Sequence, residues 1–600
     1  MCGIIAYRGH KSNAARMVLE GLKKLEYRGY DSWGVAARTE EKKGGVETPD
    51  IFIHKKIGKI GELNLSELSL PRSNLAMAHS RWATHGGVTV KNAHPHASLE
   101  KDIVIIHNGI VENYLELKKE LIKNRYEFVS ETDTEVAAHV IHSEYAKCGD
   151  LEKAVLNALK KFTGRYAFLV MSKKHDMLIA ARRGSPLIVG KGENGDYFVA
   201  SDIPAFRAHT DEVMYLDDEE MVVIDESGAR FMDLKKNKEV TKRLVKITWD
   251  TKEAEKGAFS HFMIKEIMDQ KETIHRAINQ DEKLIKKVAQ AIDKAFGTYL
   301  VGCGTTGKVC MVGSYLFSRI AHKHINVEFG SEFPNFRHFI RKGSLFVAVS
   351  QSGETADTLE AMEVAKEKGA KLMALVNVEG SSMDRLADIS IYQKAGPEKA
   401  VASTKATTAQ MAILTLIAYA CAGNIVEGKK LLLETASLIN DMLNPRYEDH
   451  IRTLAEKIKD VESMYVIGRG MNYPMALEGA IKLQEVSYIH AEGFAGGELK
   501  HGPIALITKG TPCIALVAND EMKNEILSNA IEVKARGGFI IGVSPTNEEV
   551  FDYWIKVPDV GNASPIVNII PVQILAYHLA LLRKNDPDMP RNLAKSVTVK

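Results

Sequence analysis

The second half of the chain repeats itself, and this repeat constrains the fold more than any other feature of the sequence. Each copy begins with an apolar run that ends in Gly-x-Gly and is followed by a helical stretch, and two further apolar runs come after it. Short apolar runs that alternate with helical stretches are typical of parallel α/β sheets. The repeat therefore predicts two tandem doubly wound α/β domains. The matching runs, which keep an offset of 166–168 residues, are 299–304 and 465–470, 345–349 and 513–517, and 371–376 and 539–543.

Residues 1–240 follow a different pattern. They contain many short β-like runs, such as 102–107 and 166–171, and show helical periodicity over 115–123 and 135–147. Such a mixture predicts an α+β domain built from layered sheets.

A change in charge marks the boundary between the two halves. Residues 233–256 are rich in Lys and Glu and suggest a linker, although part of this segment could equally form a solvated surface helix. The predicted organisation is an α+β domain at 1–240, a linker at 241–280, α/β domains at 281–425 and 450–590, and a tail at 591–600.

Charge and cysteine usage exclude several classes of function. The net charge is +2, with 79 basic and 77 acidic residues, so nucleic acid and membrane surfaces are not expected partners. The six cysteines form no CxxC pair, which disfavours a zinc ribbon or a disulfide scaffold and fits a reducing compartment. The first residues lack the apolar run of a signal peptide. Apolar stretches at 411–421 and 566–582 are too short or too interrupted to span a bilayer, so we expect a cytoplasmic protein with core helices.

The cysteine at position 2 is a candidate nucleophile. Once Met1 is removed, the α-amino group of Cys2 lies close to its own sulfur and can take the thiol proton, so that one residue supplies both nucleophile and base. If Met1 stays attached, this half of the chain is expected to be inert. Taken alone, the position favours an incidental cysteine over a nucleophile.

Five motifs that include this cysteine resemble the glutaminase domain of the class II amidotransferases. In order, they are MCGIIAY at the start of the chain, LEYRGYDS at 25–32, HSRWATHG at 79–86, HNGIVEN at 107–113 and SETDTE at 130–135. The resemblance implies a layered α/β/β/α fold of the N-terminal nucleophile hydrolase type, in which Cys2 hydrolyses L-glutamine and releases ammonia. Trp33 departs from the pattern, because the family more often has a small residue there.

The chemistry of amide hydrolysis assigns roles to the residues in these motifs. Asn108 and Gly109 offer N–H donors for a tetrahedral oxyanion. Arg81 can grip the substrate carboxylate and Asp133 can pair with its ammonium, although Asp133 could instead cap a helix. The resemblance further implies a mobile lid at Trp82, where core packing is the alternative, and glutamine contacts at Thr84 and His85. His85, His94 and His96 raise the question of a metal, but no nearby carboxylate or cysteine completes a ligand set, so we expect none.

A loop rich in hydroxyls follows the second apolar run of the first repeat copy. Residues 349–358 read VSQSGETADT and open a helix, which brings Ser350, Ser352 and Thr355 and several backbone N–H groups to a helix N-terminus. The loop contains no basic residue, which suits a sugar phosphate better than a triphosphate, and a G-x-x-x-x-G-K-[ST] loop is absent. A Ser/Thr-capped turn is the alternative. Thr306 is a further candidate hydroxyl.

The hydroxyl loop resembles that of the sugar isomerase (SIS) family, and later motifs resemble amidotransferases that act on phosphohexoses. The resemblance implies transfer of the amide nitrogen of L-glutamine to D-fructose 6-phosphate with ketose–aldose isomerisation. The products are D-glucosamine 6-phosphate and L-glutamate, the first step of amino-sugar synthesis, with no cofactor and a homodimer or larger homo-oligomer. The segment 396–400 departs somewhat from the family pattern. The motifs are ASTKA at 402–406, ALEGA at 476–480, KLQEVSYIH at 482–490, GELKHGP at 497–503 and PRNLAKSVTV at 590–599.

The same resemblance implies the residues of the sugar site. Glu485 is the base that moves a proton between C2 and C1, and Lys482, three residues earlier on the same helix face, stabilises the developing charge. A surface salt bridge is the alternative for this pair. His501 opens the sugar ring and Lys595 forms an imine. The remaining implied positions are Glu478, with a catalytic role, and Thr305, Thr306, Ser350, Gln351, Ser352, Thr355, Glu398, Val401 and Ala594, which bind the sugar phosphate.

A reactive lysine so near the C-terminus requires an ordered tail. Its amine must be partly neutral, which requires burial, so we expect the tail to enter the sugar site with Leu593 and Val597 as anchors. Two other functions remain open: a class II amidotransferase with another phosphosugar acceptor, and a regulator that binds a sugar phosphate without catalysis.

Overall fold

The computed structural model describes residues 2–43, 46–83, 85–247 and 256–598, and these form two compact units. Within the described residues, the first unit comprises those up to 247 together with 596–598, and the second comprises 256–595.

The first unit contains two antiparallel sheets and four α-helices among its described residues. The strand orders are β15-β11-β9-β10-β1-β4-β2-β3 and β14-β13-β12-β8-β7-β6-β5 in the numbering that follows. The strands are β1 Gly3–Arg8, β2 Ser32–Lys43, β3 Val46–Ile57, β4 Leu75–Arg81, β5 His96–Ala97, β6 Ile103–Gly109, β7 Tyr166–Ser172, β8 Leu178–Arg183, β9 Ile188–Lys191, β10 Tyr197–Ala200, β11 Glu212–Tyr215, β12 Glu220–Asp225, β13 Gly228–Asp233, β14 Lys238–Val240 and β15 Val245–Lys246. The helices are α1 Ala14–Lys23, α2 Tyr114–Lys123, α3 Asp133–Cys148 and α4 Leu151–Leu159.

The alternation of side chains along the strands produces four layers. In β1, Ile5 and Tyr7 pack against α1, whereas Ile4 and Ala6 face the second sheet. The outer face of the second sheet packs against α2, α3 and α4. This α/β/β/α arrangement confirms the predicted layered α+β domain.

The second unit contains two five-stranded parallel sheets, ordered β17-β16-β18-β19-β20 and β22-β21-β23-β24-β25. Both have the strand order 2-1-3-4-5 of a doubly wound fold, which confirms the two tandem α/β domains. The strands are β16 Thr298–Gly302, β17 Asn326–Phe329, β18 Leu345–Ser350, β19 Lys371–Val376, β20 Ile389–Tyr392, β21 Ser463–Gly468, β22 His490–Ala495, β23 Pro512–Leu516, β24 Phe539–Ser544 and β25 Tyr553–Lys556. The helices are α5 Phe262–Met268, α6 Gln270–Ile278, α7 Glu282–Lys294, α8 Thr305–Ala321, α9 Ala356–Glu367, α10 Ser382–Leu386, α11 Lys405–Cys421, α12 Ile425–Met442, α13 Pro445–Ile458, α14 Tyr473–Ser487, α15 Lys523–Lys534 and α16 Ser564–Leu582.

The segment predicted as a linker, 241–280, is structured over much of its length. Residues 248–255 lie outside the described residues, but α5 and α6 occupy 262–278 and contribute Met263, Ile267 and Ile274 to the core of the second unit. Two backbone N–H groups at the start of α5, those of Phe262 and Met263, donate to the Asp588 carboxylate at 2.9 and 2.8 Å. The Lys- and Glu-rich run ends at 256, and apolar residues recur at helical spacing over 262–278.

The two long apolar stretches are helices of this core. Almost every residue of α11 is buried. Among the described residues, Gly561–Leu582 is the one helical segment long and apolar enough to cross a bilayer, but 89% of its most apolar window is buried inside the protein. Burial of this kind is typical of a core helix.

Candidate active sites

Cys2 lies at the start of β1, in the middle of the first sheet. Gly3 pairs with Ser80 of β4, and a Cβ at Gly3 would lie 2.7 Å from the Ser80 hydroxyl. The Trp82 N–H donates to the Cys2 sulfur at 3.2 Å. Burial raises the pKa of the Cys2 thiol, and the Trp82 N–H and the Arg81 guanidinium oppose that rise. The thiol therefore needs a base to become a nucleophile. Met1, whose removal would free the expected base, lies outside the described residues.

A cleft of about 400 Å³ opens beside this sulfur. Most of the residues predicted for the glutamine site line this cleft. Thr84 lies outside the described residues, and Asn108 is buried and does not line the cleft. The lining residues are Cys2, Arg81, Trp82, His85, His94, His107, Gly109, Thr132, Asp133 and Thr134.

Arg81 lies in the cleft, but its donors are used differently from the prediction. Its guanidinium donates to the backbone carbonyls of His85, Gly86 and Gly87, the last two at 3.1 and 3.2 Å. Arg81 thus holds the loop that forms one wall of the cleft, and His85 on that loop contacts Tyr114 edge-on at 5.4 Å. Burial lowers the pKa of Arg81, and the nearby Cys2, Asp31 and Asp133 oppose this change.

Asn108 and Gly109 end β6 next to Cys2. The Asn108 side-chain amide donates to the Cys2 carbonyl at 2.9 Å, and its second hydrogen remains for another acceptor. Gly109 has φ +119°, and a Cβ there would lie 2.0 Å from the Arg165 carbonyl oxygen. Only glycine fits this position, which fixes the backbone path at the end of the strand.

Asp133 occupies the first turn of α3 without capping it. The N-cap is Thr132, whose hydroxyl accepts from the Glu135 N–H at 3.3 Å. The Asp133 carboxylate instead accepts from the Val111 N–H at 2.8 Å and lies 3.7 Å from the His107 ring. The cap alternative for Asp133 is therefore wrong, and its carboxylate faces the cleft.

A stack of four buried histidines borders the cleft, and two of them, His94 and His107, line it. The rings of His79 and His94 stack at 4.0 Å, that of His96 meets His94 edge-on at 4.8 Å, and the backbone N–H of His107 donates to the His94 ring at 3.3 Å. Burial lowers the pKa of His79 to about 3 and that of His107 to about 4, and it lowers the pKa of His94 and His96 well below the usual range. The stack is thus neutral at pH 7. Within the described ranges, no three His, Cys, Asp or Glu side chains are arranged to hold a metal ion. Sequence reasoning did not assign His79 or His107.

Residues of the motif at 25–32 contact the backbone of Trp82 and Ala83 and hold it in place, a role that could not be predicted from the sequence. A Cβ at Gly29 would lie 2.9 Å from the Trp82 nitrogen, and the Asp31 carboxylate accepts from the Ala83 N–H at 2.8 Å. The Arg28 guanidinium donates to Asp202 at 2.5 Å and ties the motif to the end of β10.

In the second unit, the hydroxyl loop follows β18 and leads into α9 as predicted. The Ser350 hydroxyl accepts from the Gly353 N–H at 3.0 Å and lies 3.3 Å from the Thr355 hydroxyl. The Ser352 hydroxyl accepts from the Glu354 N–H at 3.2 Å. Gly353 has φ +68°, and a Cβ there would lie 2.1 Å from Ser381. The Gln351 carbonyl accepts from the Asn377 N–H at 3.1 Å, which fixes the loop to β19.

Thr305 and Thr306, at the start of α8, differ in their surroundings. The Thr306 hydroxyl bonds within its own turn, to the Cys303 carbonyl at 2.7 Å and the Cys303 N–H at 3.0 Å. The Thr305 hydroxyl donates to Glu478 at 3.0 Å and accepts from Lys482 at 3.3 Å. Thr305 thereby links the first repeat copy to α14 of the second.

Glu478, Lys482 and Glu485 form a charged cluster on one face of α14. Lys482 lies 3.4 Å from Glu478, contacts Glu485 directly, and is fully buried, as is Glu478. Burial disfavours the charged form of Lys482, but the two carboxylates outweigh it and raise its pKa. Burial also raises the pKa of Glu478. The surface-salt-bridge alternative is therefore wrong.

Residues 591–595 of the C-terminal tail belong to the second unit, where Lys595 forms an ion pair. The Lys595 ammonium donates to Glu398 at 2.5 Å, and its side chain is 5% exposed. Glu398 also accepts from the Ser403 hydroxyl and the Thr404 and Ala406 N–H groups at 2.9–3.0 Å. At the start of the tail, the Arg591 N–H donates to the Tyr488 hydroxyl at 2.8 Å.

Five further residues predicted for the sugar site and the tail have varied surroundings. Leu593 and Ala594 are half-buried in the tail, whereas Val597 is 42% exposed, so Val597 is not an anchor. The Val401 N–H donates to the Asp588 carbonyl at 3.0 Å. His501 is exposed at the end of a short helical turn, Gly496–His501.

The fold and these sites define the class of protein: a glutamine amidotransferase joined to two sugar isomerase domains. The glutamine amidotransferase domain family model matches residues 79–208, and the SIS domain family model matches 292–420 and 457–583. The chain is 43% identical to the glutamine–fructose-6-phosphate aminotransferase (isomerizing) of Pyrococcus horikoshii and 44% identical to that of Thermococcus kodakarensis, over all of each chain. A solved C-terminal domain of glucosamine-fructose-6-phosphate aminotransferase from Francisella tularensis is 37% identical, with a TM-score of 0.52, and covers 56% of this chain and 99% of that one.

This chain belongs to the family of the isomerizing glutamine–fructose-6-phosphate aminotransferases. It is an enzyme that combines the amidotransferase and SIS domains predicted from its motifs.

Proposed function

We propose that the chain transfers the amide nitrogen of L-glutamine to D-fructose 6-phosphate and isomerises the product to D-glucosamine 6-phosphate. The observation that carries the proposal is the buried Glu478–Lys482–Glu485 cluster, which Thr305 joins to the repeat copy that bears the hydroxyl loop. Isomerisation of a phosphorylated ketose requires a base, here a carboxylate of the cluster, and a site for the phosphate, here the hydroxyl loop.

The glutaminase step uses Cys2 in the first unit. After removal of Met1, the α-amine takes the thiol proton and the sulfur attacks the amide carbon. The developing oxyanion accepts hydrogen bonds from the free hydrogen of the Asn108 amide and from the Gly109 N–H. Asp133 pairs with the substrate ammonium and the Arg81 loop encloses the carboxylate end. Ammonia leaves, and water releases L-glutamate from the thioester.

The sugar step uses the second unit. The phosphate binds at the N-terminus of α9, where Ser350, Ser352 and Thr355 supply hydroxyls and the helix dipole favours an anion. Gln351, Thr305 and Thr306 complete this site, and Val401 and Ala594 contact the sugar.

Proton transfers within the sugar step are divided between three side chains. His501 opens the ring, because an imidazole exchanges protons readily near neutral pH. Glu485, held by Lys482, carries a proton between C1 and C2. Lys595 leaves its ion pair with Glu398 and forms an imine with C2 before ammonia arrives. The homo-oligomeric state, a cytoplasmic location and the predicted domain boundaries, apart from the linker whose second half forms α5 and α6, belong to the same proposal.

One assay separates this proposal from its alternatives. L-Glutamate and D-glucosamine 6-phosphate are measured with purified chain, L-glutamine, and either fructose 6-phosphate or no sugar. Both products should form, and the sugar should accelerate glutamate release. Glutamate without the amino sugar would indicate another acceptor, and neither product would indicate a regulator.

Borohydride trapping tests the role of Lys595. With fructose 6-phosphate present, reduction should attach the sugar to Lys595, as peptide mass spectrometry reports. The Lys595→Arg variant should lose both trapping and aminotransfer while keeping glutamine hydrolysis. Trapping at another lysine would contradict the assignment.

A further inference from the structure

A second carboxyl group, Glu266 on α5, lies beside the Glu398–Lys595 ion pair. Its Oε1 accepts from the N–H groups of Lys399 and Ala400, at 2.5 and 3.3 Å, which are the two residues after Glu398. Glu266 is 2% exposed, and its Oε2 is buried with no hydrogen-bond partner in the described part of the chain. A buried carboxylate oxygen without a donor is costly, whereas a protonated carboxyl is much less so.

The charges around Glu266 favour its neutral form. Burial and the negative charge of Glu398 raise the pKa of Glu266 to about 8, and Lys595 and Lys405 oppose this rise. Lys405 is itself paired with Asp269 at 3.3 Å. For Glu398, burial favours the neutral form, but Lys595 and the N–H donors outweigh it and lower its pKa. Near neutrality, the Glu266 carboxyl is therefore protonated and the Glu398 carboxyl is charged.

Three other charged groups lie on the elements around Glu266. Lys265, its neighbour on α5, pairs with Asp269 at 2.8 Å. Asp588 binds the first turn of α5. The Lys399 side chain lies over the Phe262 ring at 4.9 Å. Each is engaged elsewhere, so Glu398 remains the anionic partner of Lys595.

We propose that Glu266 is a positioning residue that controls Lys595. When Glu266 is a neutral acid, only the Glu398 carboxylate faces the ammonium, and Lys595 can give its proton to Glu398 and react. When Glu266 ionises, two carboxylates hold the ammonium and imine formation stops. The inference rests on the proposed function, because it requires the imine at Lys595.

The proton balance of the step needs no further reactant. The Lys595 ammonium passes one proton to Glu398, and the amine lone pair forms the N–C2 bond while the carbonyl π electrons move to oxygen. A second proton shifts from nitrogen to that oxygen. The C2–O bond then breaks, and the leaving hydroxyl takes the proton from Glu398 and departs as water. Lys595 ends as a protonated imine and Glu398 as a carboxylate.

The test compares the pH dependence of two variants. Glu266→Gln keeps the acceptor for the Lys399 and Ala400 N–H groups but cannot ionise. Glu272→Gln is the matched control, because Glu272 is exposed on the neighbouring helix α6. For each full-length variant, borohydride trapping at Lys595 and kcat for aminotransfer are measured from pH 6.5 to 9, as ratios to the unsubstituted chain. The ratio removes the pH effects that are common to the two chains.

For Glu266→Gln we expect a ratio near one at pH 6.5 that rises at least about fivefold between pH 7.5 and 9, since ionisation adds a charge at close range. The control ratio should stay near one. A flat Glu266→Gln ratio, or equal loss at every pH, would overturn the inference while leaving the proposed function intact. Absence of trapping at Lys595 in the unsubstituted chain would instead refute the imine step and this inference with it.

An infrared titration provides a second measurement if Glu266→Gln does not fold. The unsubstituted chain should show a protonated carboxyl C=O band at pH 7 that disappears by pH 9. Glu266→Asp, which keeps an ionisable group, should shift that band and keep the alkaline loss of trapping. A band that Glu266→Asp leaves unchanged, or none at pH 7, would overturn the inference.

Discussion

Replacing Lys482 with methionine tests whether the cluster on α14 is a buried charge network. The substitution keeps the side-chain volume but leaves Glu478, which is fully buried, without its cation at 3.4 Å. At that separation the attraction is about 5 kcal/mol with an effective dielectric constant of about 20, and removing one partner of a buried pair typically costs about 3–5 kcal/mol. We expect Lys482→Met to lower the free energy of unfolding of the second unit by about 3–5 kcal/mol at pH 7.

The loss should depend on pH in a defined direction. Burial already raises the pKa of Glu478 above its ordinary value of 4.5, and loss of Lys482 raises it further. A carboxyl whose pKa is higher in the folded state loses stability as the pH rises from the ordinary value through the folded one. The deficit of Lys482→Met should therefore be smaller at pH 5 than at pH 7. Adding Glu478→Gln to the variant should recover about 2 kcal/mol or more at pH 7, because no unpaired charge remains at that position.

Urea unfolding followed by hydrogen exchange and mass spectrometry of peptides from α14 measures these changes. Peptide resolution is needed because a chain with two compact units need not unfold in one transition. A loss below about 1 kcal/mol, or a deficit equal at pH 5 and pH 7, would show that the cluster behaves like an exposed ion pair.

Three further predictions concern the two sites. Cys2→Ala should abolish glutamine hydrolysis and leave phosphohexose isomerisation unchanged. Equal loss of both activities in a folded variant would contradict the assignment of the two reactions to separate units. Ser352→Ala should raise KM for fructose 6-phosphate by about 10–150-fold with kcat nearly unchanged, since a hydrogen bond to a charged group contributes about 1.5–3 kcal/mol in ground and transition states alike; a fall in kcat at constant KM would count against it. Gly109→Ala should lower glutaminase activity and thermal stability more than Gly149→Ala. A Cβ at Gly109 would lie 2.0 Å from a carbonyl oxygen, whereas a Cβ at Gly149, which has φ +67°, has open space. Similar effects of the two variants would refute the steric argument.

Periodicity and repetition were enough to predict the architecture of both units. The strands of the repeat were found within a few residues because short apolar runs between helices admit few other structures. The region 262–278 was assigned to a linker because its polar neighbours dominated the composition. A seven-residue helix such as α5 carries little periodic signal, and its place in the core depends on contacts with α16 that no local pattern reports.

The site residues were predicted by motif, but their hydrogen-bond partners were not. Arg81 was expected to hold a carboxylate, whereas its donors meet three backbone carbonyls of a loop only a few residues away. Val597 is apolar and was expected to be buried, yet it is exposed. In both cases the residue type was informative, but the direction of the side chain depends on the backbone path. Glu266 was missed altogether, because one glutamate in a helix carries no signal until burial is known.

The hydrogen bonds from the first turn of α5 to the Asp588 carboxylate affect how the chain folds during synthesis. They join residues up to 326 positions apart, and α16, which packs on α5, leaves the ribosome after all the other described helices. Although each parallel sheet pairs strands that are near in sequence, the shared core of the second unit cannot close until α16 and Asp588 have been made. Until then the apolar surface of α14 that packs on α16 stays accessible to chaperones, whereas the first unit can fold while the second is still being made. A chain that stops before α16 would thus have an incomplete second unit behind a folded first unit.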